Sequence, residues 1–175
     1  KNLFYKLKLD KKINLKLFDI RNKKKLSSLI SYSKPEILFH MAAQPLIIES
    51  YLKPYLTYTV NSLGTLNVLE CARKYKYLKS IICVTSDKCY ESNFSTKGFK
   101  ETDKLGGIDT YSGSKASAEI IVKTYFESFL KYKKCGVATA RAGNVIGGGD
   151  WSENRLIPDV INSLIKKKII NIRNR

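Results

Sequence analysis

The sequence of 175 residues has few of the residues that build metal sites or disulfide frameworks. It contains a single histidine, His40, and four cysteines without a CxxC pair, Cys71, Cys83, Cys89 and Cys135. A zinc site needs a cluster of such ligands, so we expect no metal. Scattered cysteines in a chain of this length favour buried free thiols in a reducing cytosol.

Long apolar runs are also missing. No stretch approaches the roughly 20 apolar residues that a membrane-spanning helix needs. The opening, KNLFYKLKLDKK, lacks the apolar region of a signal peptide. We therefore expect a cytoplasmic protein that makes no contact with a membrane.

Acidic residues are scarce, with 15 Asp and Glu against 32 Lys and Arg and a net charge of +17. A nucleic-acid-binding domain would concentrate this charge on one surface. The lysines are instead spread along the chain, with short runs at 23–25 and 166–168 that suit solvated helix faces. This spread favours a general attraction for anionic substrates, and a nucleic-acid partner is not expected.

Segments typical of strands and helices alternate along the chain, without repeats or an internal linker. Alternation of this kind predicts an α/β fold, a doubly wound parallel sheet with right-handed crossovers. The continuous apolar run EILFHMAA is typical of a strand buried on both faces. His40 lies within this run, so we interpret it as a buried histidine at a strand end rather than as a member of a catalytic triad. Strands are predicted at about 13–18, 36–43, 79–86 and 136–142, and helices at 24–33, 55–76, 109–132 and 157–167.

Polar residues follow the predicted strands. In a doubly wound sheet, ligands bind outside the carboxyl ends of the strands, so these residues are candidates for a site. Hydroxyls, a carboxylate and an ammonium collect at this edge although the strand bodies are apolar. The four strand ends are Asp19-Ile20, Ala42-Ala43-Gln44-Pro45, Thr85-Ser86-Asp87-Lys88 and Arg141-Ala142-Gly143-Asn144.

A second constellation, YSGSK, lies on the helix predicted at 109–132 and contains Tyr111 and Lys115. A separation of four places the two side chains on one helical face. Free tyrosine has a pKa of about 10, so a tyrosine base needs a nearby cation at neutral pH, and Lys115 can supply it. A lone YxxxK is a weak signal, but one that follows a strand ending in TSD is far more specific.

Further motifs accompany these two: FHMAAQPL (39–46), NSLGTLNVLE (61–70), VTSDKCY (84–90), RAGNVIGGGDW (141–151) and RLIPDV (155–160). Together they resemble the extended short-chain dehydrogenase/reductases and, within these, the NAD-dependent nucleotide-sugar 4,6-dehydratases. Dehydratases of dTDP- and GDP-sugars usually carry Asp-Glu where this chain has Asp87-Lys88, which is similar to the branch acting on CDP-glucose. The resemblance implies a lyase of deoxysugar metabolism, such as lipopolysaccharide O-antigen biosynthesis, that converts CDP-glucose to CDP-4-keto-6-deoxyglucose and water.

The resemblance also implies roles for individual residues. Tyr111 would take the proton from the sugar 4-hydroxyl, with Lys115 as its partner and as a ligand of the nicotinamide ribose. Ser86 would bond the 4-oxygen, and Asp87 with Lys88 would eliminate water across C5 and C6. The remaining assignments are Asp19 and Ile20 at the adenine of NAD, Ala42, Ala43 and Gln44 along the cofactor, and Asn144 and Arg155 at the nucleotide diphosphate of the substrate.

The chain departs from the family pattern in one respect that concerns its extent. The glycine fingerprint GxGxxG, which seats a pyrophosphate at a helix N-terminus, is absent. We therefore interpret the chain as an internal piece of a longer enzyme that lacks the N-terminal glycine-rich unit and most of the C-terminal substrate lobe. Residues 1–145 would form a partial NAD-binding Rossmann domain with the catalytic residues, and 146–175 the start of the nucleotide-sugar-binding lobe.

Several alternatives stay open. A nucleotide-sugar epimerase or reductase needs Tyr111 and Lys115 but no elimination pair, so Asp87-Lys88 discriminates against it. An inactive fragment and, less favoured, a basic nucleic-acid-binding domain are the others. The glycines of GGGDW suit a tight loop as well as a close approach to phosphate. Leu63, Leu66 and Leu69 on the long helix suit the core or, by the resemblance, a helix that pairs with its copy in a homodimer or higher oligomer.

Overall fold

The structure is a computed structural model that describes residues 3–91 and 98–170. Its sheet has three parallel strands in the order β1-β2-β3. The strands are β1 (Ile37–His40), β2 (Ser80–Val84) and β3 (Gly136–Ala140). The predicted α/β class with a parallel sheet is confirmed, and three of the four predicted strands begin and end within three residues of their expected bounds.

The helices follow the strands in alternation. Asn22 and Asp109 cap the first turns of α2 and α6 by accepting hydrogen bonds from the backbone N–H groups of Lys25 and Ser112. Pro54, which lacks a backbone N–H, stands at the first position of α4. The helices are α1 (Leu3–Lys6), α2 (Lys23–Ser33), α3 (Ile47–Leu52), α4 (Pro54–Tyr58), α5 (Gly64–Ala72), α6 (Thr110–Tyr125) and α7 (Leu156–Ile165), with π-helical turns at Thr59–Leu63 and Phe126–Leu130 and 3₁₀ turns at Leu9–Lys11, Asp87–Cys89 and Lys131–Lys133.

The strand predicted at 13–18 is wrong. These residues form an irregular segment outside the sheet, and Leu17 is 81% exposed. The alternation of INLKLF suits a strand, but a strand is stable only when a neighbouring strand satisfies its backbone groups. In residues 3–91 and 98–170, the only pairing of the sheet is among β1, β2 and β3.

The expectation that the first apolar strand is buried on both faces is also wrong. His40 of β1 is buried, but Ile37 and Phe39 are 55% and 62% exposed. The sheet register explains the difference, since Leu38, Ile81 and Val137 lie side by side on the face that the helices cover. The main core joins that face to α2, α5 and α6 through Leu26, Ile30, Val68, Leu69, Ile81, Cys83 and Val122.

The described residues divide into two compact units. Phe18–Gly143 contains the sheet and α2 to α6, whereas the second unit contains α1 and α7 and combines residues 3–17 with 144–170. The assignment of residues 1–145 to a cofactor domain and 146–175 to a substrate lobe stays a prediction.

The cysteines are buried free thiols, as predicted. Burial raises the pKa of Cys83 to about 12 and that of Cys89 to about 11, so both stay protonated at neutral pH. Among residues 3–91 and 98–170, no group of histidine, cysteine or acidic side chains could hold a metal ion. No helix in that part of the chain has the length and apolar character needed to cross a membrane.

Gly107 lies two residues before Asp109, the N-cap of α6, at a position with no room for a side chain. It has a φ of +152°, and a Cβ placed there would lie 2.5 Å from Ser112 Cβ and 2.8 Å from the backbone N of Gly113. We expect Gly107→Ala to lower the free energy of unfolding by about 2–4 kcal/mol, because the first turn of the helix cannot move away without losing its cap. Gly98→Ala is the matched control, since nothing lies within 4 Å of its Cβ position. Urea unfolding of the two variants tests this, and equal stabilities would contradict it.

Candidate active site

The end of β2 brings a hydroxyl and a carboxylate together. The pairing of β2 with β3 continues past both strands, since the N–H of Asp87 donates to the Ala142 carbonyl at 3.0 Å. Ser86 is extended and caps the turn Asp87–Cys89 by accepting a bond from the N–H of Lys88. The Ser86 hydroxyl donates to Asp87 Oδ1 at 3.1 Å. A proton donor and a carboxylate are thus held beside each other at the carboxyl end of the central strand.

The first two turns of α6 carry Tyr111 and Lys115. The two residues are 8% and 6% exposed and lie one turn apart on one face of α6, a helix that packs against the turn Asp87–Cys89. Asp109 fixes this end of the helix, because its Oδ1 accepts from the N–H of Ser112 at 2.9 Å and its Oδ2 from the Ser112 hydroxyl at 2.8 Å. The helix start that presents the tyrosine is therefore well defined.

One hydrogen bond connects the end of β2 to the helix face that carries Tyr111 and Lys115. The Lys115 ammonium donates to the carbonyl oxygen of Val84, the last residue of β2, at 3.2 Å. Burial lowers the pKa of Lys115, and the neighbouring thiols and the Glu119 carboxylate oppose that effect. The structure therefore places a cation where β2 ends, two residues before Ser86.

Gln44 is buried and forms hydrogen bonds with the helical residues that follow β1. Its backbone N–H donates to Asn61 Oδ1 at 2.8 Å, and Asn61 Nδ2 donates to the Gln44 carbonyl at 3.1 Å and to Ser114 Oγ at 2.9 Å. Gln44 Nε2 donates to Thr57 Oγ1 at 2.9 Å. This network fixes the loop after β1 relative to the YSGSK segment of α6. In that loop, Ala42 is exposed and Ala43 is half-buried.

Asp19 and Ile20 lie beside the start of α5. A Cβ at Gly64 would approach Ile20 Cγ2 to 2.9 Å, so the small residue permits this contact. Asp19 is exposed and forms a two-point ion pair with Arg21, whose Nη2 lies 2.7 Å from Oδ2. Hydrogen bonds from Arg21 lower the pKa of Asp19 to about 2. The adenine role of Asp19 and Ile20 stays a prediction.

Asn144 and Arg155 belong to the second unit. Asn144 is exposed, and Arg155 precedes α7 with its Nη1 3.3 Å from Asp150 Oδ2. Their proposed contacts with a nucleotide diphosphate stay predictions.

His40 is buried at the end of β1, as predicted, and its Nε2 lies 3.0 Å from Thr65 Oγ1. The Thr65 hydroxyl donates its proton to the Asn61 carbonyl, so His40 Nε2 must be the donor to Thr65. Burial, and then the charge of Lys115, lower the pKa of His40 to about 4. His40 is thus a neutral histidine that is linked through Thr65 to Asn61, which bonds Gln44 and Ser114.

Sequence reasoning missed three buried polar side chains around this edge: Asn61, Ser114 and Glu119. Asn61 and Ser114 hydrogen-bond each other across 53 residues of sequence. For Glu119 a signal was present, because it stands four residues after Lys115 on the same buried helical face.

Comparison with known proteins gives the family. The sequence profile described as GDP-mannose 4,6 dehydratase matches residues 2–169. The chain belongs to this family. It is 42% identical over 178 residues to a CDP-glucose 4,6-dehydratase of Salmonella typhimurium, covering 99% of this chain and 50% of that protein. The chain thus spans about half the length of that curated relative.

Solved structures in the same fold include nucleotide-sugar enzymes. A UDP-glucose 4-epimerase of Thermotoga maritima superposes with a TM-score of 0.80 at 22% identity, covering 90% of this chain and 50% of that one. A dTDP-glucose 4,6-dehydratase of Bacillus anthracis, in complex with NAD, gives 0.72 at 27% identity, covering 87% and 44%. The predicted Rossmann-like class is confirmed by these likenesses.

Proposed function

We propose that the protein is an NAD-dependent lyase that converts CDP-glucose to CDP-4-keto-6-deoxyglucose and water. The bond from Lys115 to the Val84 carbonyl carries the proposal, since it holds Tyr111 and Lys115 against the strand end with Ser86, Asp87 and Lys88. The 42% identity to a CDP-glucose 4,6-dehydratase supports the substrate. Because the chain covers half of that relative, the proposal concerns the full-length protein.

The residues at this edge fit the nicotinamide end of NAD. The Val84 carbonyl takes one of the three donors of the Lys115 ammonium, which leaves donors for the two hydroxyls of a ribose. The exposed Ala42 and half-buried Ala43 leave a loop with short side chains after β1, where a dinucleotide binds in parallel sheets. A nicotinamide cofactor held there would supply hydride transfer chemistry at C4 and C6 of the sugar.

The oxidation uses the α6 pair. Tyr111 accepts the proton of the sugar 4-hydroxyl as C4 is oxidised, and the positive charge of Lys115, one turn away, stabilises the phenolate that performs this task. The Ser86 hydroxyl donates a hydrogen bond to the 4-oxygen. Burial of Tyr111 and Lys115 keeps water from competing for the proton.

The elimination uses the residues that follow Ser86. Once C4 is a ketone, the proton on C5 is acidic, and Asp87 with Lys88 acts as the acid/base pair. Lys88 takes the C5 proton and Asp87 gives a proton to the 6-hydroxyl, which leaves as water and forms a C5–C6 double bond. Return of the hydride to C6 and of the proton from Lys88 to C5 then completes the product. The bond from Ser86 to Asp87 Oδ1 keeps the carboxyl group beside the residue that touches the 4-oxygen.

The acid/base pair Asp87 and Lys88 distinguishes the proposed dehydration from epimerisation. The similarity to the epimerase of Thermotoga maritima, at 22% identity, concerns the fold. An epimerase needs Tyr111 and Lys115 but no group to expel the 6-hydroxyl. Asp87, on the turn beside α6, supplies that group and favours dehydration.

We also propose that the full-length protein is a homodimer or higher homo-oligomer of the cytoplasm. Of the three leucines on the long helical segment, Leu69 is fully buried in the core, Leu66 is half-buried and Leu63 is 49% exposed. Leu63 is therefore available for pairing with a second copy. Four buried free thiols suit a reducing compartment.

The direct test of function is substrate turnover by the full-length protein. We expect a 4-keto-6-deoxy product from CDP-glucose and at least about tenfold lower kcat/KM with dTDP-glucose or GDP-mannose, which corresponds to one well-made contact to the base. An epimerised sugar with an intact 6-hydroxyl would favour the epimerase alternative.

The isolated chain of 175 residues should bind NAD weakly, because its sequence lacks the GxGxxG fingerprint that seats the pyrophosphate at a helix N-terminus. It should also tend to aggregate, since Ile37 and Phe39 expose one face of the sheet. Calorimetric titration with NAD tests the first expectation, and a saturable site at micromolar cofactor would contradict it.

A further inference from the structure

Glu119 is a buried carboxylate to which the proposed reaction gives no role. It lies on α6 one turn beyond Lys115 and two turns beyond Tyr111, and it is 4% exposed. An acidic side chain is rarely buried so far unless partners satisfy its charge. Its partners therefore indicate what it does.

Both carboxylate oxygens of Glu119 are bonded to groups from the sheet. Arg141 Nη2 and the Thr139 hydroxyl donate to Oε2 at 2.9 and 3.0 Å, and the Thr85 hydroxyl donates to Oε1. Burial by itself opposes ionisation, but these bonds together outweigh it and hold the pKa of Glu119 below its ordinary value. The charged carboxylate thus ties α6 to the ends of both β2 and β3.

Arg141 extends the connection to the segment after the Asp87–Cys89 turn. Its Nη1 donates to Tyr90 Oη at 2.9 Å and to the Glu101 carbonyl at 3.0 Å. The guanidinium lies 4.8 Å from the centre of the Tyr90 ring. The Tyr90 ring also stacks on Phe99, with 4.6 Å between the ring centres. The ion pair with Glu119 therefore holds both flanks of Ser86 and Asp87.

We propose that Glu119 is a positioning residue that fixes the two halves of the active site against each other. Thr85 directly precedes Ser86, and Lys115 is one turn from Glu119, so the bond between Thr85 and Glu119 sets the distance from the strand end to the helix face. This inference rests on the proposed function. A displacement of about 1 Å between reacting groups can cost about 100-fold in rate.

The test compares stability with turnover in the full-length protein. In E119M/R141M, two apolar side chains replace the buried pair, a change that is often neutral for stability. We expect a melting temperature near that of the parent, a kcat lower by about 10- to 100-fold and a KM for CDP-glucose within about threefold. A purely structural ion pair predicts parental kcat in any variant that is as stable as the parent.

A matched pair at Thr85 keeps the test decisive if the double variant fails to fold. Thr85→Ser keeps the hydroxyl that bonds Glu119, whereas Thr85→Val removes it at nearly equal volume. We expect kcat near that of the parent for the serine variant and a loss of about tenfold for the valine variant. Equal kcat values for the two would overturn the positioning role.

Amide hydrogen exchange separates this proposal from the proposed function. The N–H groups of Thr85 and Asp87 donate to the carbonyls of Ala140 and Ala142, so they report on the strand end directly. We expect about tenfold faster exchange at both in Thr85→Val than in Thr85→Ser, with unchanged exchange in the middle of β2. Identical exchange overturns the positioning role whatever the substrate, whereas an inactive parent with the expected exchange overturns only the proposed reaction.

Discussion

Replacing Tyr111 by phenylalanine in the full-length protein is expected to lower the turnover of CDP-glucose by about two to four orders of magnitude. The variant keeps the ring, which is 8% exposed, and loses only the hydroxyl that we propose takes the proton from the sugar 4-hydroxyl. Oxidation at C4 is the first chemical step, so no later step can compensate. Binding of the nucleotide sugar should survive, because the residues proposed for its nucleotide diphosphate, Asn144 and Arg155, are unchanged.

The measurement is steady-state turnover together with calorimetric binding of CDP-glucose. Tyr32→Phe is the matched control, since Tyr32 is 74% exposed on α2, and it should retain full activity. Normal turnover by Tyr111→Phe would show that another group is the base and would remove the main support for the oxidation chemistry.

Replacing Asp87 by asparagine should separate oxidation from elimination. The amide keeps the size of the side chain, and its oxygen can still accept the bond from the Ser86 hydroxyl that Asp87 Oδ1 accepts at 3.1 Å. It cannot give a proton to the 6-hydroxyl. We expect oxidation at C4 to persist, while formation of the 4-keto-6-deoxy product falls by about two to four orders of magnitude.

Stopped-flow absorbance of the reduced nicotinamide, combined with product analysis, distinguishes the two steps. The reduced cofactor should accumulate in Asp87→Asn and not in the parent. Asp103→Asn serves as the control, because Asp103 is an exposed residue whose carboxylate accepts a bond from the N–H of Lys100. Release of product at the parental rate by Asp87→Asn would reject the acid role.

The two sequence predictions that failed at the sheet have one cause. Alternation at 13–18 and the unbroken apolar run at 36–43 report how polar the side chains are, not which backbone or helix lies next to them. The first segment has no strand beside it within the described part of the chain, and β1 exposes Phe39 although its residues are as apolar as those of β2. Pairing and coverage depend on neighbours that are distant in sequence.

Reasoning from the sequence predicted the alternation of β1, β2 and β3 with α2, α5, α6 and α7, the placement of Ser86 and Asp87 at a strand end, and the pairing of Tyr111 with Lys115 on one helical face. These features follow from periodicities of two and 3.6 residues, which are local. Packing of the helices on the sheet was needed to reveal that Lys115 bonds Val84, that Asn61 bonds Ser114, and that Glu119 bonds Arg141, Thr85 and Thr139. Those bonds link residues 20 to 53 positions apart, and such contacts form where helix packing on the sheet brings buried polar groups to one another and leaves no water to satisfy them.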